Sequence, residues 1–554
     1  MTQASNNAQF SSPQQRFCHW VETTPDRVFL RQPKGDQWEE WTFADTWQRA
    51  ACLAQHLQRL PPRSHVAIYS LNCAEWFVID LAILLAGHIS VPIYPTAGRS
   101  TIDFILQHGD IKLAFVGKLF DWEDKKSSFV SYETLSFFDQ KPFVKNWTDE
   151  VKKLTPITEV FDARPDDLAT IVYTSGTTGN PKGVMLSYRA ISSALLTVDE
   201  VFKIEQSDRF FSYLPLAHVA ERMVVEMASI YFGAQVSFVE SLDKFSDNLK
   251  AVKPTIFFGV PRIWMKIKQG VEGRLGGAKV CRWLFSLPLV GPWLRNKIAK
   301  NLGLTEVRLA LSAAAALPRA VIDWFDNLSL EICEAYGMSE TAGFSHINLP
   351  GKRRSGTVGQ PFPRAECMLA PNGEILLRNG SLMDGYYKLQ ELSDACIQDG
   401  WFRTGDLGEI DQQQYLTITG RVKELFKTAK GKYISPVPIE SRLSPHLDVD
   451  HLCITGANLP HPIAIASCFS NWDNRSKIEA QVKQVLNQAN QQLEKHERIN
   501  LVIMVNEDWT TDNGLMTPTL KIRRQAIEKR YAQLIEQHPS SKTIKVIWNE
   551  GPFE

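Results

Sequence analysis

One short run of hydroxyl-bearing and glycine residues stands out for its chemistry: Tyr173-Thr-Ser-Gly-Thr-Thr-Gly-Asn-Pro-Lys-Gly183. Within it, Thr174, Ser175, Gly176, Thr177, Thr178 and Gly179 combine backbone freedom with many hydrogen-bond donors. Glycine lets the main chain approach an anion closely. Hydroxyls and backbone N–H groups then offer several bonds to phosphate oxygens. Lys182 adds a point charge. This is not a Walker loop, because the spacing from Gly176 to Lys182 is wrong and Gly183 replaces the magnesium-binding Ser or Thr. The plain alternative is a polar surface turn, and a place between a strand and a helix argues against it.

The elements that must hold this loop can be read from patterning. Residues 169–173 form a β-branched run and are expected as a buried strand. Ser187 can cap a helix carrying Ile191, Leu195 and Val198 on one face. Residues 210–214, 235–239 and 255–258 read as strands, and 218–232 as a helix stopped by Gly233. Earlier, a strand at 66–70 precedes a helix at 75–86, in which Leu81-Ala-Ile-Leu-Leu-Ala-Gly87 should be buried. Such alternation predicts an α/β fold with parallel sheets. From about 356 to 420, short strands (374–378, 415–419) alternate with Gly and Asn-Gly turns, which predicts a β-rich subdomain. A smaller α+β segment follows, with a long polar helix near 477–497, a strand at 501–505 and a final helix near 519–538. The expected organisation is a large N-terminal domain, 1–420, of parallel-sheet α/β subdomains plus the β-rich part. A small mobile α+β domain, 421–554, follows a hinge near Lys423.

Composition excludes several classes. Lys+Arg and Asp+Glu both count 61, so no global basic field invites nucleic acid. The nine cysteines are dispersed, without Cys-x-x-Cys pairs or zinc spacing, and read as reduced cytosolic thiols. Residues 1–13 show no signal pattern. No apolar stretch approaches the roughly 20 residues of a spanning helix, so a cytoplasmic location is expected.

Three later motifs turn the loop into part of a larger pattern: Glu334-Ala-Tyr-Gly-Met-Ser-Glu-Thr341, Gly400-Trp-Phe-Arg-Thr-Gly-Asp-Leu407 with Thr419-Gly-Arg-Val-Lys423, and Met516-Thr-Pro-Thr-Leu-Lys521. Together they resemble the adenylate-forming superfamily, which includes acyl-CoA synthetases, luciferases and peptide-synthetase adenylation domains. The resemblance covers about residues 40–535. It implies that Tyr336, followed by Gly337, packs on adenine, that Thr341 contacts phosphate and that Glu340 holds Mg²⁺. Asp406 would bind the ribose hydroxyls, and Arg421 the ribose and phosphates. Lys521 would stabilise charge on the α-phosphate as pyrophosphate leaves. Ala314 lies in Leu311-Ser-Ala-Ala-Ala-Ala-Leu317, where the family commonly has glycines and a proline beside adenine. Lys423 is the implied hinge of a domain rotation, after which Ala429, Lys430 and Gly431 would line the path of coenzyme A. Many members have Ser-Gly-Gly at those three positions.

Within that superfamily, three segments are similar to long-chain fatty acyl-CoA synthetases: residues 211–222, 256–264 and 426–436. The implied activity is formation of fatty acyl-AMP from ATP, then of fatty acyl-CoA, with His218 near the reacting carboxylate. A helix carrying Met223, Val224, Met227, Ile230 and Tyr231 could wall an acyl tunnel, or simply face the core. An apolar centre at 283–294 with basic flanks, within 264–304, suits the interface of an anionic membrane and suggests peripheral attachment at its inner face. Two other readings stand beside the ligase: an enzyme passing the acyl group to a carrier protein or other acceptor, and a ligand-binding pseudoenzyme.

Overall fold

The computed structural model describes residues 10–138, 144–152, 154–174, 180–517 and 521–551. The chain divides into two compact units. The first comprises most of residues 1–367 together with 377–402. The second comprises 368–376 and most of 403–554.

Two large sheets build the first unit. One has nine strands, with a parallel centre: Ile332–Tyr336, Leu309–Ser312, Ile256–Phe258, Arg209–Ser212, Gln235–Phe238 and Val28–Lys34 lie side by side. Antiparallel strands cover both its edges. The other has eight strands, parallel from Leu168–Thr174 through Ile89–Ile93, His65–Tyr69 and Ile111–Val116 to Glu133–Ser136 and Lys145–Asn146. The expected parallel α/β architecture is present.

Helix Ala74–Leu85 shows why the sequence folds this way. It is apolar around its whole circumference and every residue except Glu75 is buried, as a helix covered on all sides must be. Its one charge inside the core, Asp80, has a dedicated partner (below). Helix Tyr188–Phe202 is instead amphipathic and begins where expected. The Ser187 hydroxyl caps Ala190 N–H, and Ile191, Leu195, Val198 and Phe202 face inward.

Two expectations need correction. The glycine loop does not run from a strand into a helix. Residues Lys182–Ser187 form a strand antiparallel to Leu168–Thr174, with Thr174 opposite Lys182, so the loop closes a hairpin. Val184 and Leu186 are buried on that strand, opposite Val172 and Thr170, and this pairing outweighs the pull of the helix that follows. Second, the final helix is two shorter ones, Arg524–Arg530 and Ala532–Gln537. The break falls at Tyr531, buried and bonded to Glu507 and Trp509. The segment 264–304 folds as three helices, Pro261–Arg274, Ala278–Ser286 and Val290–Leu302. Among the described residues, no helix is long and apolar enough to cross a membrane.

The expected β-rich part holds strands Glu366–Leu369, Glu374–Arg378, Trp401–Ile410 and Leu416–Arg421, assembled with Ile397–Gln398 into one sheet. Beyond it, four strands make a C-terminal sheet: His451–Thr455, Ile463–Ser467, Leu501–Val505 and Lys545–Asn549. Helix Arg475–Gln492 buries Ile478, Val482, Leu486 and Ala489 against one core. A second core contains Trp509, Ile527 and Tyr531.

Candidate active site

The first unit carries the strands that flank the loop, with Glu340 and Tyr386. Ser175, Gly176, Thr177, Thr178 and Gly179 lie outside the described residues. The loop's anchors are described: Thr174 Oγ1 donates to the Lys182 carbonyl at 3.5 Å across the hairpin. Lys182 Nζ sits 5.1 Å from the centre of the Tyr386 ring. The Tyr386 hydroxyl donates to Glu340 Oε1 at 2.7 Å. Burial and the Glu340 carboxylate push this phenol well above its ordinary range, so it stays a donor. Lys182, Tyr386 and Glu340 therefore form one contiguous group. Tyr386 was not among the residues expected to act, and no periodicity marks it. It arrives because Gly385–Tyr386 pairs antiparallel with Val184 and Met185.

Glu340 and Thr341 sit on a single 3₁₀ turn, Ser339–Thr341. Thr341 is fully buried, and its hydroxyl bonds the N–H and carbonyl of Met338, so it braces the turn. Gly337 needs its missing side chain, because a Cβ there would lie 2.1 Å from the Gly343 carbonyl oxygen. Tyr336 ends its strand half-exposed, its ring 6.1 Å from that of His346. Burial lowers His346 to about 3, which leaves a neutral imidazole beside Tyr336.

Ala314 adopts φ +74°. This left-handed backbone disfavours any Cβ by roughly 1–2 kcal/mol, which explains why glycine suits the segment. The turn is held from below by Glu334, whose Oε1 accepts the Leu317 N–H at 3.0 Å. Burial raises Glu334 to about 7.

His218 caps the helical segment that follows it. Its Nδ1 accepts the Ala220 N–H at 3.1 Å, and its ring lies edge-on to Tyr94. An accepting Nδ1 places the proton of the neutral ring on Nε2. The segment then passes through a π-turn, Arg222–Met227, before Ala228–Phe232 and the positive-φ Gly233. π-turns of this kind recur at functional sites. Met223, Met227, Ile230 and Tyr231 pack in the main core, while Val224 lies partly buried at its edge.

Under His218 lies a buried charge network that sequence reading missed. Arg222 binds both Asp80 oxygens at 2.9 Å and Glu226 at 3.1 Å, all three fully buried. The preceding Glu221 accepts from Ser212 Oγ at 2.9 Å and Tyr213 N–H at 3.0 Å. Burial raises Glu221 to about 8. The available signal was three charges inside an otherwise apolar helix, since isolated buried charges are prohibitively costly.

The second unit brings together Asp406, Arg421 and Lys521. Asp406 and Arg421 are direct partners across the strand pair Trp401–Ile410 and Leu416–Arg421, and Arg421 Nε meets Asp406 Oδ1 at 2.8 Å. Asp406 is 5 % exposed at its side chain. Lys521 immediately precedes Ile522, which bridges to Met516, and its N–H donates to Thr517 Oγ1 at 3.1 Å. Although Lys521 keeps solvent contact, the atoms crowded around it and the Arg421 charge push its ammonium below the ordinary lysine range, while Asp406 and Glu424 oppose the shift.

Lys423 is exposed on the turn Val422–Glu424. Just after it, Glu424 pairs with Arg524, which also binds Glu440 in two bonds and the Ile454 carbonyl. Ala429, Lys430 and Gly431 form an exposed turn between two short strands, with Gly431 at φ +78° and Lys430 Nζ 2.9 Å from His461.

The model of the AMP-binding enzymes matches residues 17–387, and that of the AMP-binding enzyme C-terminal domain matches 424–541. The chain belongs to the AMP-binding enzyme family. Within that family it is 28 % identical to a long-chain-fatty-acid–CoA ligase of Mycobacterium bovis, over 92 % of this chain and 94 % of that one. It is 29 % identical to fatty acyl-CoA synthetase B of Dictyostelium discoideum, over 90 % and 85 %. The fold matches solved AMP-binding enzymes. An anthranilate CoA ligase bound to anthranoyl-AMP superposes with TM-score 0.77 at 21 % identity, covering 95 % of this chain and 98 % of that one. The adenylation domain of a carboxylate reductase from Mycobacterium chelonae gives 0.80 at 18 %, covering 96 % and 91 %.

Proposed function

We propose that this enzyme is an ATP-dependent acid–thiol ligase that joins a long-chain fatty acid to coenzyme A through a fatty acyl-adenylate. The observation that carries the reading is the Asp406–Arg421–Lys521 group, a buried carboxylate and two cations suited to a ribose diol and an α-phosphate. The relatives, matched over nearly their whole lengths, support the fatty acid and the thiol.

In the first step a carboxylate oxygen of the acid attacks the α-phosphorus, and the bond to the β-phosphate oxygen breaks as pyrophosphate leaves. Lys521 and Arg421 stabilise the charge that develops on the α-phosphate, Lys182 with the loop at 174–179 binds the leaving phosphates, and Thr341 keeps Glu340 in place. Asp406 accepts from the ribose hydroxyls, and Tyr336 packs against adenine beside Ala314. Glu340 suits Mg²⁺, because the ion keeps most of its waters and needs only one or two carboxylates, and Tyr386 engages only one of its oxygens. Bound there, Mg²⁺ would neutralise triphosphate charge. His218 orients the acid.

In the second step the coenzyme A thiolate attacks the acyl carbonyl and AMP leaves. A thiol with a pKa of roughly 8.5 is sufficiently ionised near neutrality for this. Lys423 is the proposed pivot between the two half-reactions, and Ala429, Lys430 and Gly431 border the thiol path. A long acyl chain supplies gross binding energy of about 0.8 kcal/mol per buried CH₂.

The test is a series of fatty acids of graded length, with AMP release followed with and without coenzyme A. Prompt acyl-CoA, best with long chains, is expected. Adenylate that accumulates and ignores coenzyme A would point to another acceptor, and absence of ATP–pyrophosphate exchange with every acid would overturn catalysis altogether.

A further inference from the structure

Helices Ala278–Ser286 and Val290–Leu302 pack closely on each other. A Cβ on Gly291 would come within 2.4 Å of the Phe285 carbonyl oxygen. Their inner faces are satisfied, with Cys281, Phe285, Ile298 and Ala299 buried. Their outer faces break the usual rule for solvated helices. Trp283 and Trp293 are each 60 % exposed, Leu289 in the connecting turn is 89 % exposed, and Val280 and Val290 are also exposed. Single exposed apolar residues are ordinary, but a cluster confined to residues 280–293 marks an interaction surface.

The charge carried by these two helices themselves is of one sign. Between Leu275 and Leu304 the chain carries Lys279, Arg282, Arg295, Lys297 and Lys300, and no acidic residue. None of the five makes an ion pair among the described residues. Lys297 lies 4.7 Å from the centre of the Trp293 ring. Lys279, Arg282, Lys297 and Lys300 are exposed on the same two helices.

We propose that this face docks on the headgroup region of an anionic lipid bilayer, with Trp283, Leu289 and Trp293 entering the interface and the basic side chains resting on acidic headgroups. Tryptophan is the residue that prefers the membrane–water boundary, and an apolar face rimmed by Lys and Arg is the pattern of helices lying in that plane. A protein partner or a second copy of this chain would need a matching acidic surface around an apolar centre, whereas an anionic bilayer offers both over any area. The inference extends the reading of the substrate as a long-chain acid, which partitions into membranes. It is nevertheless tested without nucleotide, acid or coenzyme A, so its failure would leave the ligase reading untouched.

The experiment is co-sedimentation of the full-length protein with vesicles of phosphatidylcholine alone or mixed with phosphatidylglycerol. Binding to the mixed vesicles, weakened by salt, is expected. The variant Trp283→Ala/Leu289→Ala/Trp293→Ala, and separately Lys279→Glu/Arg282→Glu/Lys297→Glu, should each bind them about tenfold less. Both should keep the wild-type melting temperature and sedimentation coefficient. The proposal is overturned if the wild type ignores phosphatidylglycerol vesicles or if the triple alanine variant binds like the wild type. It is equally overturned if that variant changes the sedimentation coefficient, which would assign the face to contact between copies.

Discussion

The Tyr386 hydroxyl donates to Glu340 at 2.7 Å while Lys182 lies against the Tyr386 ring. One phenol thus links the carboxylate proposed for Mg²⁺ to the lysine proposed for phosphate. Tyr386→Phe keeps the ring and removes the bond. A hydrogen bond to a charged group contributes about 1.5–3 kcal/mol, so kcat/KM for ATP should fall by roughly 10- to 100-fold. The loss should shrink as Mg²⁺ is raised in an ATP–pyrophosphate exchange assay. Exchange indifferent to both changes would assign Tyr386 to packing alone.

Lys521 is proposed to act in the first half-reaction and not in the second. Lys521→Ala should reduce adenylation by about 10³-fold at least with the melting temperature unchanged. Supplied with preformed acyl-adenylate, the same variant should still acylate coenzyme A. Because its crowded surroundings and Arg421 lower the Lys521 pKa, the ammonium is lost at lower pH than in an ordinary lysine. Adenylation should therefore show an alkaline limb that Lys521→Arg shifts upward, measured as a pH–rate profile.

Glu221 ties stability to pH. Its carboxyl, ordinarily near 4.5, is raised to about 8 by burial. The folded protein therefore binds this proton more tightly than the unfolded chain does. The stabilising contribution is complete below about 4.5 and disappears as pH rises through about 8. Glu221→Gln retains an acceptor for Tyr213 and should flatten the decline in unfolding free energy over that window. Superimposable denaturation profiles for the two proteins would refute the assignment.

Arg524 holds the second unit together. Its side chain is 9 % exposed and binds Glu440, Glu424 and the Ile454 carbonyl. Breaking a buried pair by truncating one partner typically costs about 3–5 kcal/mol. Arg524→Ala should therefore lower the thermal midpoint clearly, and Arg524→Lys should rescue it poorly because it lacks the planar fork. If calorimetry finds the alanine variant as stable as wild type, the network is not structural.

Most of the sheet architecture was legible, because buried parallel strands leave dense β-branched runs such as 169–173 and 501–505. The proposed nucleotide residues were legible as motifs, and the second unit does bring Asp406, Arg421 and Lys521 together. What escaped depends on partners remote in sequence. Lys182–Ser187 reads as a helix approach until its pairing with Leu168–Thr174 is known. Tyr386 is brought to the site through that same strand, and Asp80 looks anomalous until Arg222 is brought to it. The last strand, Lys545–Asn549, carried a β-branched pattern in Val546 and Ile547 that sequence reading passed over.

The acid-free stretch from 275 to 304 has a further consequence. The chain is neutral overall, so five uncompensated cations there leave five acids in excess elsewhere. A neutral molecule feels almost no net pull toward a charged surface beyond the Debye length, about 8 Å at physiological salt. Within that distance the uneven charge exerts a torque. The protein should therefore reach an anionic surface by ordinary diffusion and then be turned basic face first. Salt would alter the dwell time far more than the rate of arrival.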